Sequence, residues 1–347
     1  MTINRNNILL PVFFLILIVV LSCNQDKNAN NKDDQNNKDE IALDSMNVEQ
    51  LSEAIRTTPR NADLFRKRAE LYMDKGETEK AINDLNIALK LDSVTKSTYY
   101  DLIDQHMLLG QSGKAKDIAK ACLNRYPDDK ESMLRLAQIY YYVKDYNQAL
   151  SYIREIKNRN LQDADTYFIQ GLIYSETEKT DLAIKAFQRC IEYDEEHIAA
   201  YVMLGRMLSD ANDPLAVEYF KSGLRKAPEN IELHYNTGFY FQQNNQTDSA
   251  LYHYNYIINN IDSLHYGAHY NIGYVALVYQ NSYDKAIEYF TKALEIDSDS
   301  YKAYYNRGYA YELLGKTQKA RADYNKALEY KENYPLAIEA LNELDKQ

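Results

Sequence analysis

The stretch Ala303-Tyr304-Tyr305-Asn306-Arg307-Gly308-Tyr309-Ala310-Tyr311, followed by Ala320, Tyr324 and Ala327, decides how this chain is read. Gly308 and Ala320 are small residues, Ala327 is a third, and a large ring, Tyr324, stands between the last two. Small side chains at a helix crossing let two backbones approach, and a bulky neighbour fills the space beside the contact. The segment therefore reads as a helical hairpin. One helix runs from Tyr301 to Leu314, a turn falls at Gly315, and a second helix runs from Lys316 to Tyr330.

Working outward, the same pattern recurs along the chain. Small residues stand at Ala81, Ala115, Ala149, Ala183, Ala216, Ala250, Ala286 and Ala320, with spacings of 34, 34, 34, 33, 34, 36 and 34. A second series precedes it at Ala69, Ile103, Ala137, Gly171, Gly205, Gly238, Gly273 and Gly308, in which Ile103 alone is large. A third follows at Ala88, Cys122, Ile156, Cys190, Gly223, Ile257, Ala293 and Ala327. Leu85, Phe187, Phe220, Tyr254, Phe290 and Tyr324 are the bulky residues between the first and third series. Three phased series across eight copies mark a repeat array.

The period and pattern resemble the tetratricopeptide repeat (TPR) family over residues 62–334, which holds eight repeats. That resemblance implies an all-α fold: a right-handed α-solenoid of stacked helix-turn-helix hairpins making about one superhelical turn. Val48 to Thr57, closed by Pro59, matches the second helix of an incomplete repeat. Residues 44–60 are therefore expected as an N-terminal capping half-repeat, and residues 335–347 as a C-terminal capping helix. A solenoid needs such caps because its terminal hairpins would otherwise expose an apolar face. The fifth repeat is one residue short near Asn212-Asp213-Pro214. The sixth-to-seventh step is two residues long, near Asn259 to Gly267 and Asn281-Ser282.

Composition narrows the function. With 11 Gly and 6 Pro, turn residues are too scarce for an all-β fold. A net charge of −11 argues against nucleic acid and against an electrostatic grip on an anionic membrane. Tyr is abundant, 33 against 9 Phe, and suits half-buried positions along grooves and interfaces.

Attachment to lipid is expected from the N-terminus instead. Arg5 precedes an uncharged run from Ile8 to Leu21, shorter than the ~20 residues a spanning helix needs. Residues 1–22 read as a signal peptide. The run ends Val20-Leu21-Ser22-Cys23, which resembles a bacterial lipoprotein signal. The resemblance implies cleavage before Cys23 and a thiol carrying diacylglycerol, with acyl chains such as palmitate. Residues 23–43 then form a tether. Asn24 to Glu40 consists, apart from Ala29, of Asn, Gln, Asp, Glu and Lys, a composition expected to be disordered.

No catalytic chemistry is visible. Cys122 and Cys190 lie two repeats apart, too far for a disulfide, and read as packing residues. His265 and His269 have metal-like spacing but lack a third ligand in sequence. No Gly-rich phosphate loop, nucleophile elbow or acid–base pair stands out, and carboxylates are expected on outward, solvated faces. No enzyme activity, cofactor or metal is expected.

What remains is the groove. The TPR resemblance implies a concave surface lined by the first helix of each hairpin, at repeat positions 2, 5, 9 and 12. Positions 5 and 9 are Arg66 and Glu70, Tyr100 and Asp104, Leu134 and Gln138, Phe168 and Leu172, and Val202 and Arg206 in the first five repeats. In the last three they are Tyr235 and Phe239, Tyr270 and Tyr274, and Tyr305 and Tyr309, with Asn236, Asn271 and Asn306 beside them. Helical period places each pair on one face. These nine residues are the expected binding site for a protein or peptide partner. Two other readings stand beside it: the rings pack between hairpins to fill a tight superhelix, or they stack on a glycan or small molecule. The absence of Trp weighs against the glycan. Arg66 and Lys67 hint at the carboxylate clamp of cytosolic chaperone adaptors, but Glu70 and Asp104 oppose it. The expected role is a lipid-anchored protein–protein scaffold of the bacterial cell envelope, at the outer membrane on its periplasmic or surface side.

Overall fold

The residues that the repeat pattern singles out are the ones that hold the helices together. A computed structural model describes residues 43 and 45–346. The expected signal peptide, Cys23 and nearly all of the tether lie outside the described residues. Among the described residues there are eighteen α-helices and no strand.

The first, α1 (Val48–Thr57), begins with a capping box between Asn47 and Gln50 and buries Leu51. Eight hairpins follow. The first four are α2 (Ala62–Asp74) with α3 (Thr78–Leu91), α4 (Lys96–Leu108) with α5 (Ser112–Arg125), α6 (Lys130–Tyr142) with α7 (Tyr146–Asn158), and α8 (Ala164–Glu176) with α9 (Thr180–Tyr193). The second four are α10 (Ile198–Asp210) with α11 (Leu215–Lys226), α12 (Ile231–Gln243) with α13 (Thr247–Tyr256), α14 (Tyr266–Val278) with α15 (Tyr283–Ile296), and α16 (Tyr301–Leu313) with α17 (Thr317–Tyr330). The last helix, α18 (Pro335–Leu344), starts on a proline and buries Ala337 and Leu344 against the eighth hairpin.

All eight alanines of the first small series, from Ala81 to Ala320, are fully buried. In the second series, sizes are matched across each hairpin. A Cβ on Gly171, Gly205, Gly238, Gly273 or Gly308 would meet the rings of Phe187, Phe220, Tyr254, Phe290 or Tyr324 at 2.3–3.0 Å. Where the first-helix residue is alanine, as at Ala69 and Ala137, its partner is the smaller Leu85 or Ile153 in the same buried cluster. Ile103, the exception in the sequence pattern, packs with Ala119 and so reverses the sizes while keeping the sum. Close packing requires this, because each pair shares one fixed volume between two helices. Two of the rings carry hydroxyls that must be satisfied when buried. Tyr254 donates to Gln242 at 3.0 Å and Tyr324 to Glu312 at 2.5 Å.

Each hairpin turns on a residue in the left-handed backbone region, with φ between 49° and 69°: Gly76, Gly110, Lys144, Glu178, Asn212, Asn245, Asn281 and Gly315. The length irregularities are absorbed locally. In the short fifth repeat the Ala216 N–H bonds three residues back to Asp213, where Ala81 reaches four back to Glu77. In the long step, α13 ends in a π-helical turn, Ile257–Ile261, closed by the Asp262 N–H on the Ile257 carbonyl. The second extra residue widens the turn at Asn281, where the Ser282 N–H reaches Ala276.

First helices of several successive hairpins pack on one another, α6 on α8 and α10 on α12 most closely. No second helix packs comparably on the next second helix. The first helices therefore form the inner, tighter-curving wall of the stack, and the second helices form the outer one.

Candidate partner-binding face

The inner wall is where the nine expected residues sit, and the structure divides them into two sets. Tyr235, Tyr270 and Tyr305 each bridge the core ring of their own hairpin and the element that follows, reaching His265, Asn306 and Tyr334. Tyr270 meets the Phe290 ring edge-on at 5.6 Å, and Tyr235 and Tyr305 lie 6.0 and 5.6 Å from the rings of Tyr254 and Tyr324. Tyr305 also contacts Tyr334, whose ring closes the end of the stack. Burial pushes the Tyr235, Tyr270 and Tyr305 phenols above the ordinary range, because their ionised forms would lose solvation.

Asparagines bridge from the next hairpin. The buried Asn306 donates from Nδ2 to the Tyr270 hydroxyl at 2.8 Å. Asn271 faces Tyr235 at the equivalent step. There the amide Nδ2 is buried and makes no hydrogen bond. Asn236, the first of the three, instead bonds its own helix at the Glu232 carbonyl. These contacts are of the kind the packing alternative expects for the ring at position 5.

The second set is Phe239, Tyr274 and Tyr309, which are half-buried at the same phase of three consecutive hairpins. Tyr274 and Tyr309 pack against the core built on Phe290, as Tyr270 also does, Tyr309 packs against the core built on Tyr324 as well, and both rings stay partly exposed. Phe239 is in no buried cluster among the described residues. Tyr309 lies parallel to Tyr305, 6.4 Å away at an interplanar angle of 2°.

The residues that could form a carboxylate clamp are already engaged. Arg66 bonds Asp92 at 2.9 Å and also pairs with Asp63, and Lys67 bonds Glu70 at 2.7 Å. The chemical candidates settle as packing groups. Cys122 and Cys190 are buried free thiols, each pushed up by burial. His265 caps α14 by accepting from the Ala268 N–H, while the buried His269 bonds the Ser263 carbonyl at 2.9 Å. No cluster of His, Cys, Asp or Glu among the described residues could hold a metal ion. No helix among them is long and apolar enough to cross a membrane.

One expectation about charge needs correcting. Asp104 stands on the inner wall, as its position 9 implies, and Asp101 and Glu131 join it there instead of lying on the outer, solvated face. They are half-buried on the inner wall, and burial pushes Asp101 and Asp104 up to about 6. Their phases, positions 6, 9 and 2 of their repeats, carried that information in the sequence.

Comparison with known proteins agrees with this architecture. Sequence models described as "Tetratricopeptide repeat" match residues 275–338 and 164–197. The TPR repeat-containing protein YpiA of Bacillus subtilis (strain 168) is 21% identical over 187 residues, which is 54% of this chain and 44% of YpiA. The C-terminal part of a TPR repeat-containing protein from Cytophaga hutchinsonii superposes with a TM-score of 0.57 at 17% identity, covering 69% of this chain and 98% of that one. The Cut9–Hcn1 hetero-tetramer of the APC/C matches with a TM-score of 0.54 at 17% identity, covering 91% of this chain and 60% of that one. These structural likenesses establish the fold alone. The chain spans less than half the length of the curated relatives it matches, 44%, 21% and 29% for the first three.

Proposed function

The chain is a tetratricopeptide-repeat protein, and from that premise we propose that it is a non-catalytic scaffold that holds a protein segment against its inner wall. The observation that carries this is the row Phe239, Tyr274 and Tyr309: three partly exposed rings at one phase of three stacked hairpins, beside the Tyr235, Tyr270 and Tyr305 rings, which pack on the core rings of their own hairpins. A large apolar ring left partly in water on a regular concave wall favours a partner that covers it. Fixed helices supply that wall without rearrangement, so the order needed for binding is already present.

The scaffold works at a membrane surface in this reading. The Val20-Leu21-Ser22-Cys23 sequence supports an acyl anchor on Cys23, and the polar residues 24–40 would hold the solenoid clear of the headgroups. The location that follows is the bacterial cell envelope.

Two measurements test the two halves. A photo-crosslinking residue at position 274 should capture a protein in intact cells, while the same residue at the exposed, outward Leu182 should not. Equal capture at both sites removes the groove from the reading. Cys23→Ser should abolish lipid labelling and release the protein from membranes, and a variant that stays wholly with the membrane fraction removes the anchor.

A further inference from the structure

The inner wall carries charge as well as rings. Asp101, Asp104, Glu131, Asp210 and Glu232 all stand on first helices, at repeat positions 6, 9, 2, 13 and 2. Positions 2, 6, 9 and 13 form one stripe on a helix, the stripe that Phe239, Tyr274 and Tyr309 continue toward the C-terminus. Few cations answer these carboxylates. Arg135 lies 2.8 Å from Asp104 and 3.3 Å from Glu131, and Arg206 lies 3.9 Å from Glu232. Among the described residues Asp101 and Asp210 have no ion pair. Asp101, Asp104 and Glu131 are half-buried while Asp210 and Glu232 are exposed on the same face, and desolvation raises all five carboxyls above their ordinary range. A cation laid along the wall would relieve that imbalance.

The aromatic part of the stripe accepts the same kind of guest. The exposed parts of the Phe239, Tyr274 and Tyr309 rings attract ammonium and guanidinium groups as well as apolar side chains.

We infer that the segment bound by the inner wall is a basic, extended polypeptide that carries a run of Arg or Lys next to a run of apolar residues, its cations set over the carboxylates of hairpins two to six and its apolar side chains on the rings of hairpins six to eight. Two runs fit because the carboxylates and the rings occupy successive lengths of one stripe, so a chain laid along the wall meets them in turn. The inference rests on the protein-binding reading above and adds the chemistry of the partner.

The test uses the purified full chain and three labelled twelve-residue probe peptides: six Arg followed by six Leu, six Gln followed by six Leu, and six Glu followed by six Leu. Binding is followed by fluorescence anisotropy. The Arg–Leu probe should bind at least about tenfold more tightly than the Gln–Leu probe at low salt, with the gap narrowing as salt rises. Asp101→Asn with Asp104→Asn and Asp210→Asn should remove most of that preference. Neutralising three outer carboxylates, Glu195→Gln, Glu288→Gln and Glu329→Gln, should change it less than about twofold, since the total charge removed is the same but the wall is untouched. Equal losses from the two triple variants would mean diffuse attraction and overturn the inference. If the Gln–Leu or Glu–Leu probe binds best and Phe239→Ala with Tyr274→Ala still weakens it, the wall binds protein but not basic protein. If no probe responds to either inner-wall variant, both readings fall.

Discussion

The Cβ that Gly205 lacks would lie 2.3 Å from the ring of Phe220, nearer than real side chains approach. The glycine is therefore set by its partner across the hairpin and not by its own backbone, which is helical. Gly205→Ala brings a helix-propensity gain of about 1 kcal/mol, opposed by an overpacking cost of about 1–3 kcal/mol. The net expectation is a destabilised protein. In the background of Phe220→Leu, which recreates the size match of Ala69 with Leu85, the same Gly205→Ala change should become neutral or stabilising. A double-mutant cycle by chemical denaturation measures the coupling, expected to be at least ~1 kcal/mol. Additive effects would show that the ring does not dictate the glycine.

Ile103 and Ala119 offer the converse case, with the bulk on the first helix. Both are buried in one cluster. Ile103→Ala should cost about 2–4 kcal/mol through lost burial and the cavity left behind. Adding Ala119→Leu should recover a large part of that loss, because the volume returns to the same gap from the other side. Failure of any recovery would indicate that the second hairpin packs by a different rule from its neighbours.

These pairs show how much of the molecule was legible beforehand and why. Repeat period, helix phases and the two length irregularities follow from residues that recur at fixed spacing, so Ala81 or Ala320 announces its burial locally. Ile103 looked like a break because one strand of the size match was read without the other. The candidate face was harder. Tyr270 and Tyr274 are chemically identical, both half-buried and one helical turn apart, yet it is the Tyr270 hydroxyl that takes the hydrogen bond from Asn306 of the next hairpin. That difference depends on the stagger between hairpins, which no single helix encodes. Asp104 could be placed on the wall by its position 9, but Asp101, at position 6, reads as a solvated charge until the curvature of the stack places it inside.

Glu178 forms its hairpin turn with φ of 57°, where three equivalent turns use glycine. A side chain in that left-handed region costs about 1–2 kcal/mol, while glycine loses some of this through its greater freedom in the unfolded chain. Glu178→Gly should therefore stabilise the fourth hairpin by about 0.5–1 kcal/mol, since the residue is exposed and its side chain contributes little packing. Thermal unfolding and local hydrogen exchange would both register the change. A drop in stability would mean that the Glu178 side chain has a contact of greater value than its strain.

The two ring sets should separate when stability and binding are measured together. Tyr270→Phe leaves the buried amide of Asn306 without its acceptor and should cost about 1–2 kcal/mol of stability. Tyr270→Ala should cost more, about 3–5 kcal/mol, by emptying the space the ring fills. Phe239→Ala should alter stability by less than about 1 kcal/mol but weaken partner binding by about 2 kcal/mol if the ring is an anchor. The reverse pattern, with Phe239→Ala unfolding the protein and leaving binding intact, would assign Phe239 to the core.

Asp101 supplies a test through pH. Burial, followed by the neighbouring Asp104 charge, pushes its carboxyl up to about 6, with Arg135 acting in the opposite direction. The unfolded chain holds such a group near ~3.9. Between these values the folded protein binds more protons than the unfolded one, so this group favours folding as pH falls from about 6 toward 4. Its destabilising effect is fully present above about pH 6 and gone below about pH 4. Asp129 works in the opposite sense: burial pushes it up, but hydrogen bonds from Lys96, Ser132 and Tyr100 outweigh that and hold it below its ordinary value. The comparison must therefore be made between variant and parent at each pH. Asp101→Asn should raise the melting temperature near pH 7.5 and leave it unchanged near pH 4, where the parent's carboxyl is already neutral. The same substitution should also lower the pKa of Asp104 by removing a like charge, visible in a carboxyl-resolved NMR titration. A melting temperature raised equally at both pH values would place the effect in packing, and the inner wall would then carry no electrostatic imbalance for a basic partner to relieve.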